Sequence, residues 1–134
     1  MRSLTTCLIV PFLLLAGSPA FAADQFDLVC EGWKWAKMGG AAQEYDFRVR
    51  IDLAAGKWCE SDCKTASAIR SIADDKLVLL DEGTLNSRME VAREATFDRK
   101  AGKYHYRMLQ TRPTDDYLEY QGNCKTAAFT PIPG

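Results

Sequence analysis

From residue 45 to residue 53 apolar and charged side chains alternate without a break. Only an extended strand puts every second side chain on one face. This segment is therefore predicted as a strand with Tyr45, Phe47, Val49, Ile51 and Leu53 turned to a core and Asp46, Arg48, Arg50 and Asp52 turned to water. Residues 89–97 carry the same period, with Met89, Val91, Ala95 and Phe97 together and Arg93 interrupting the apolar side. Residues 104–111 repeat it, with Tyr104, Tyr106 and Met108 on one side and His105 and Arg107 on the other. Segments 26–30, 76–80 and 117–121 are predicted as shorter strands, and 65–72 adds one with a weaker pattern. The stretches 31–42 and 61–70 are the only ones to weigh as helices. Gly39-Gly40 ends the first early, and the second is small and polar.

Two of the predicted turns look alike. Ile51-Asp52-Leu53-Ala54-Ala55-Gly56-Lys57-Trp58 and Phe97-Asp98-Arg99-Lys100-Ala101-Gly102-Lys103-Tyr104 share the pattern apolar-Asp-x-x-Ala-Gly-Lys-aromatic. An Asp at the start of a turn can accept from the next backbone N–H groups, and Gly takes the left-handed conformation that closes a short hairpin. Each motif is expected to join two antiparallel strands. A run of seven or eight such strands predicts an all-β, small antiparallel meander barrel, lipocalin-like or avidin-like, because closure removes exposed sheet edges. A two-sheet sandwich is the alternative.

The N-terminus changes the picture. Arg2, the apolar stretch 8–16 and the small residues around Ala20 and Ala22 read as a signal peptide over residues 1–23. The stretch is too short to span a bilayer. The mature chain is expected as one β-barrel domain over 24–129 with a flexible tail at 130–134, periplasmic or secreted, with no transmembrane segment after cleavage. No Cys follows the cleavage site directly, so lipid attachment is not expected. Removing Arg2 leaves 16 basic residues against 18 acidic ones. No basic face marks a nucleic-acid partner, and no polybasic cluster marks a membrane surface.

Cys7 leaves with the leader, and Cys30, Cys59, Cys63 and Cys124 remain for an oxidising compartment. Cys30 shares parity with Phe26 and Leu28, and Cys124 with Leu118 and Tyr120, so both are predicted to face inward. First and last strands are neighbours in a closed meander, which favours Cys30–Cys124 with Cys59–Cys63 as a short clip. Pairing Cys30–Cys59 with Cys63–Cys124 is the competing scheme. The long loop is worth on the order of 4 kcal/mol in the chain-entropy model. The C-x3-C spacing fits neither a zinc site of paired C-x2-C units nor a thioredoxin-like redox site, so no metal and no cofactor is expected.

Candidate chemistry is sparse, and no catalytic residue is assigned. His105 is the single histidine and is predicted on an outer strand face. The adjacent acids Asp74-Asp75, Asp81-Glu82 and Asp115-Asp116 read as turn residues, since neighbours on a strand point opposite ways. Arg93 on an apolar face either reaches out past the barrel rim or pairs with an acid inside a ligand cavity near Tyr104 and Tyr106. Trp33 and Trp35 share one strand face. Gly32 is expected to shift the register so that they cap the core; without that bulge they face outward as a contact patch for a protein or a sugar ring.

The segments Phe26-Asp27-Leu28-Val29-Cys30-Glu31-Gly32, Ile51 to Cys59, Cys63, Asp98-Arg99-Lys100-Ala101-Gly102 and Gly122-Asn123-Cys124 together resemble small exported proteobacterial proteins of unknown function. The resemblance covers most of the mature chain and implies a fold, not an activity. In size, export and disulfide use the chain is similar to periplasmic lysozyme-inhibitor barrels, whose characteristic loop residues it does not match. These readings point to a non-enzymatic, disulfide-stabilised binding protein, either inhibitor-like toward an unknown envelope protein or a carrier of a small ligand. An uncharacterised hydrolase is the third reading.

Overall fold

The computed structural model describes residues 23–83, 91–111 and 115–134. The leader up to residue 22, Cys7 included, and Met89 in the second alternating segment lie outside the described residues. The chain forms β1 (Gln25–Trp35), β2 (Gln43–Asp52), β3 (Lys57–Glu60), β4 (Ser67–Ala68), β5 (Ser71–Ile72), β6 (Lys76–Glu82), β7 (Val91–Asp98), β8 (Lys103–Gln110) and β9 (Asp116–Ala127). Among the described residues there is no helix.

Period-two patterning sets the faces. Phe47, Val49 and Ile51 are buried, Tyr45 and Leu53 pack against the same core, and Asp46 and Arg48 are exposed. In β6 the run Leu77-Val78-Leu79-Leu80 is apolar on both sides. Leu77 and Leu79 are both fully buried by alternation, and a register shift between Val78 and Leu80 sets Leu80 opposite the buried Ala95, so that it packs against the core as well. The two look-alike turns use the predicted chemistry. Asp52 Oδ1 accepts from Ala55 N at 2.9 Å, and Asp98 Oδ1 accepts from Lys100 N at 2.9 Å and Ala101 N at 2.8 Å. Gly56 and Gly102 take φ of 63° and 64°, which L side chains adopt at a steric cost.

The strands form a single antiparallel sheet in the order β4-β3-β2-β1-β9-β8-β7-β6-β5, so the two-sheet sandwich is not what forms. The sheet curls into a half-barrel. Tyr120 on β9 donates to both carboxylate oxygens of Glu60 on β3 at 2.6 Å, although β1 and β2 lie between those strands in the sheet. That bond crosses the concave side. So does the ring contact between Phe47 on β2 and Tyr104 on β8, 5.2 Å between centroids.

The meander is not sealed by continuous strand pairing. Its two edges are β4 and β5, two residues each, and only Ile69 and Arg70 separate them in the chain. Ile69 N donates to Gly56 O and Arg70 N to Val78 O, both at 2.9 Å, so this segment spans the side between β3 and β6. Edges this short offer little template for another strand.

Strands β1 and β9 lie side by side with Cys30 opposite Cys124. The disulfides are Cys30–Cys124 and Cys59–Cys63. The second closes a tight loop in which Ser61 and Cys63 hold φ of 55° and 54°, a left-handed conformation uncommon outside glycine. Register along β1 is continuous against both neighbours, so Gly32 makes no bulge and the expected shift of Trp33 and Trp35 onto the core is corrected. Gly32 instead serves a close approach. A methyl group there would overlap the Gln121 carbonyl and come within 2.6 Å of the Gly122 Cα.

Asp27 is the one fully buried acid among the described residues, on the convex side of β1. Arg48 Nε donates to its Oδ2 at 2.8 Å, Thr130 Oγ1 donates to Oδ2 at 2.7 Å, and Thr130 N donates to Oδ1 at 3.1 Å. Arg50 Nη1 donates to Pro131 O at 3.0 Å. The segment after β9, expected to be loose from residue 130, thus has its first residues against the outer face of β1 and β2.

Candidate functional site

The predicted site residues separate onto two sides of the sheet. Arg93, Tyr104 and Tyr106 belong to the concave side, Trp33 and Trp35 to the convex one. The sheet brings neither set to the other.

On the concave side Tyr104 is almost fully buried, and its ring meets Phe47 and stacks near Tyr120. Tyr106 is partly buried and stacks on Tyr120 with centroids 4.7 Å apart. Tyr45 closes the group, stacked on Phe47 and edge-on to Tyr120. Arg93 points its half-exposed guanidinium at Glu82 on β6 and is ion-paired with it at the rim. The rings of Tyr104, Tyr120 and Tyr106 stack on one another in the region where the second reading of Arg93 placed a ligand cavity.

Glu60 sits in this aromatic group. Burial pushes its carboxyl above the ordinary value of 4.5, and the Tyr120 hydroxyl pulls the other way. Burial first, and then neighbouring charge from Tyr104 and Glu60, drives Tyr120 far above the ordinary phenol range. Tyr45 and Tyr104 are raised by burial and then by Glu60. These phenols stay protonated at neutral pH, and the Tyr120 hydroxyl donates to the Glu60 carboxylate. Tyr104 Oη lies near Glu60 and Tyr120 without a well-formed hydrogen bond to either. Lys34 Nζ rests 4.5 Å from the centre of the Tyr45 ring at the mouth of the group.

The convex side is wetter and more open. Trp33 is 47% exposed and Trp35 half-buried. His105 Nε2 lies 2.8 Å from Glu119 Oε1, and the Tyr117 hydroxyl donates to Glu119 Oε2. Those two bonds, Tyr117 first, hold the Glu119 carboxyl below its ordinary value, so it is ionised at neutral pH and orients the imidazole. A hollow of about 300 Å³ is lined by Trp33, His105, Gln121, Glu31, Asn123 and Lys103, with Gly32 and Gly122 along its floor. A second hollow beside it is lined by Trp35, Tyr117 and Glu119 and shares Gln121 with the first.

Residue patterning did not single out Glu60, Tyr120, Glu119 or Gln121. Parity alone places Tyr120 inward and Glu119 and Gln121 outward, and that was the available signal. Glu60 has no such signal, because its partner is three strands away in the sheet. Among the described residues no group of three or more potential ligands could hold a metal ion, and no helix is long and apolar enough to cross a membrane. No family model, no curated protein and no solved structure matches this chain.

Proposed function

We propose that this chain is an exported binding protein of the cell envelope whose working surface is the convex face of β1, β9 and β8, acting as an inhibitor-like or interaction module. The observation that carries this is the pair Trp33 and Trp35 on the outside of the most firmly held part of the sheet. Each of these strands is paired along most of its length, and the Cys30–Cys124 bridge ties β1 to β9. A large indole left nearly half in water on a rigid scaffold is the kind of side chain that anchors interfaces. Two disulfides suit an oxidising compartment outside the cytoplasm.

The chain order supports a finer reading of the architecture as an up-and-down barrel of the lipocalin-like or avidin-like kind, opened between β3 and β6. A carrier would need free space around Arg93, Tyr104 and Tyr106, and the rings of Tyr104, Tyr106 and Tyr120 stack on one another there. The outer face is therefore the better-supported surface.

Crosslinking from a photoreactive group placed at Met38, next to the tryptophans in sequence, tests the reading in a native envelope extract. The wild-type face should give a discrete adduct, and the variant carrying Trp33→Ala and Trp35→Ala should lose most of it. An adduct of equal yield with the double variant would remove the outer face as the working surface.

A further inference from the structure

The convex face carries two cross-strand rows. One is Trp33, Gln121 and His105, aligned by the pairings Trp33 with Gln121 and Gln121 with His105. The other is Glu31, Asn123 and Lys103, aligned by Glu31 with Asn123 and Asn123 with Lys103. Between them lies the row Gly32, Gly122 and Tyr104, whose side-chain positions belong to the concave face by strand alternation, so only their backbone shows on this side. The result is a trough across three strands with the hollow of about 300 Å³ along it, a size at the lower end for small-ligand sites.

The chemistry of the walls is specific. One indole supplies a flat apolar surface. Two planar amides, an imidazole, a carboxylate and an ammonium supply donors and acceptors on the remaining sides. Glu119 fixes the imidazole, so that group is oriented before any ligand arrives. The backbone beneath is committed to strand pairing, so a peptide cannot add as a strand here. A hydrocarbon would strip water from five polar side chains without replacing their hydrogen bonds. A phosphate would meet the Glu31 carboxylate alongside the single Lys103 ammonium. The ligand that matches is rich in hydroxyls and has one apolar ring face.

We propose that this trough binds a saccharide ring, stacked on Trp33 and hydrogen-bonded by Gln121, Asn123 and His105. The inference rests on the outer face being the working surface and names the chemistry of what it takes. The neighbouring hollow, joined through Gln121 and flanked by Trp35, gives room for a second ring.

The test uses the exported, oxidised protein and a panel of trisaccharides built from glucose, mannose, galactose and N-acetylglucosamine. Acrylamide quenching of tryptophan fluorescence and calorimetry read binding. Trp58 is buried and serves as the unquenched internal reference. At least one trisaccharide should protect an exposed tryptophan. Trp33→Ala should weaken its binding about tenfold, the loss of one aromatic stacking contact. Asn123→Ala, on the far wall and away from the indole, should weaken it as well while leaving the near-ultraviolet dichroism of the core intact. If no trisaccharide binds, or if binding is indifferent to both substitutions, the saccharide assignment is wrong. A Trp33-dependent protein adduct in the crosslinking experiment alongside that failure would show a protein-binding face instead. Loss of both signals would remove the outer-face reading too.

Discussion

Glu60 is half-buried among phenols, with the Tyr120 hydroxyl 2.6 Å from each of its carboxylate oxygens. Its folded carboxyl titrates above the ordinary 4.5 because burial disfavours the charge. A raised acid means that the folded state binds its proton more tightly than the unfolded state does. The contribution to stability is therefore complete below about 4.5 and is lost as pH rises through the folded value. Glu60→Gln keeps an oxygen acceptor for Tyr120 and has no charge to bury. It should be as stable as wild type near pH 4 and become the more stable of the two as pH rises toward 8. Urea melts of both proteins at several pH values would read this. Glu119 and Asp52 are both lowered, with the opposite sign, but they are common to both proteins and cancel in the difference. A constant gap between the two proteins across that range would contradict the account.

At the scale of elements, the two look-alike turns differ in how many donors their Asp collects. Asp98 accepts from two backbone N–H groups, whereas Asp52 accepts from Ala55 N and from the exposed Gln25 side chain. Removing Asp98 frees two turn donors, and removing Asp52 frees one. Asp98→Ala should cost about 1–2 kcal/mol and Asp52→Ala about 1 kcal/mol, each without a change in the slope of the urea transition. A larger loss for Asp52→Ala would show that the Gln25 contact, which ties the start of β1 to the end of β2, outweighs turn closure. The same scale explains the β1–β9 pairing. Gly32 faces Gly122 there: a methyl group at Gly32 would overlap the Gln121 carbonyl, and one at Gly122 would come within 3.1 Å of the Glu31 carbonyl and the Phe47 ring.

Across the whole molecule, stability leans on two covalent ties of unequal reach. Cys30–Cys124 joins residues 94 apart, and Cys59–Cys63 joins residues 4 apart. In the chain-entropy model the first restrains the unfolded chain by about 4–5 kcal/mol and the second by about 2 kcal/mol. Replacing the first pair with alanines should lower the denaturation midpoint about twice as far as replacing the second. Equal losses would mean that local geometry around the Cys59–Cys63 loop, with its two left-handed residues, matters as much as long-range restraint. A curled single sheet of this size has most of its apolar side chains on one concave face, so a tie across β1 and β9 also holds the middle of that face together.

Much of the architecture was legible in the sequence because strand signals are local. Alternation over 45–53 assigned the buried set Phe47, Val49 and Ile51, and parity carried Cys30 and Cys124 to the same side. The Asp and Gly positions named both turns. Other features depend on contacts that a linear pattern does not carry. Whether Gly32 bulges depends on what β9 presents opposite it. Whether Glu60 meets Tyr120 depends on curvature accumulated over three strand pairings, each twisted by a small angle that side-chain order does not spell out. Asp27 is buried because residues more than a hundred positions later fold over it. Periodicity determined which side of a strand each residue takes. Only the curl of the sheet decided which residues meet across it, and that is why the aromatic group around Glu60 and the trough beside Trp33 emerged from the tertiary structure alone.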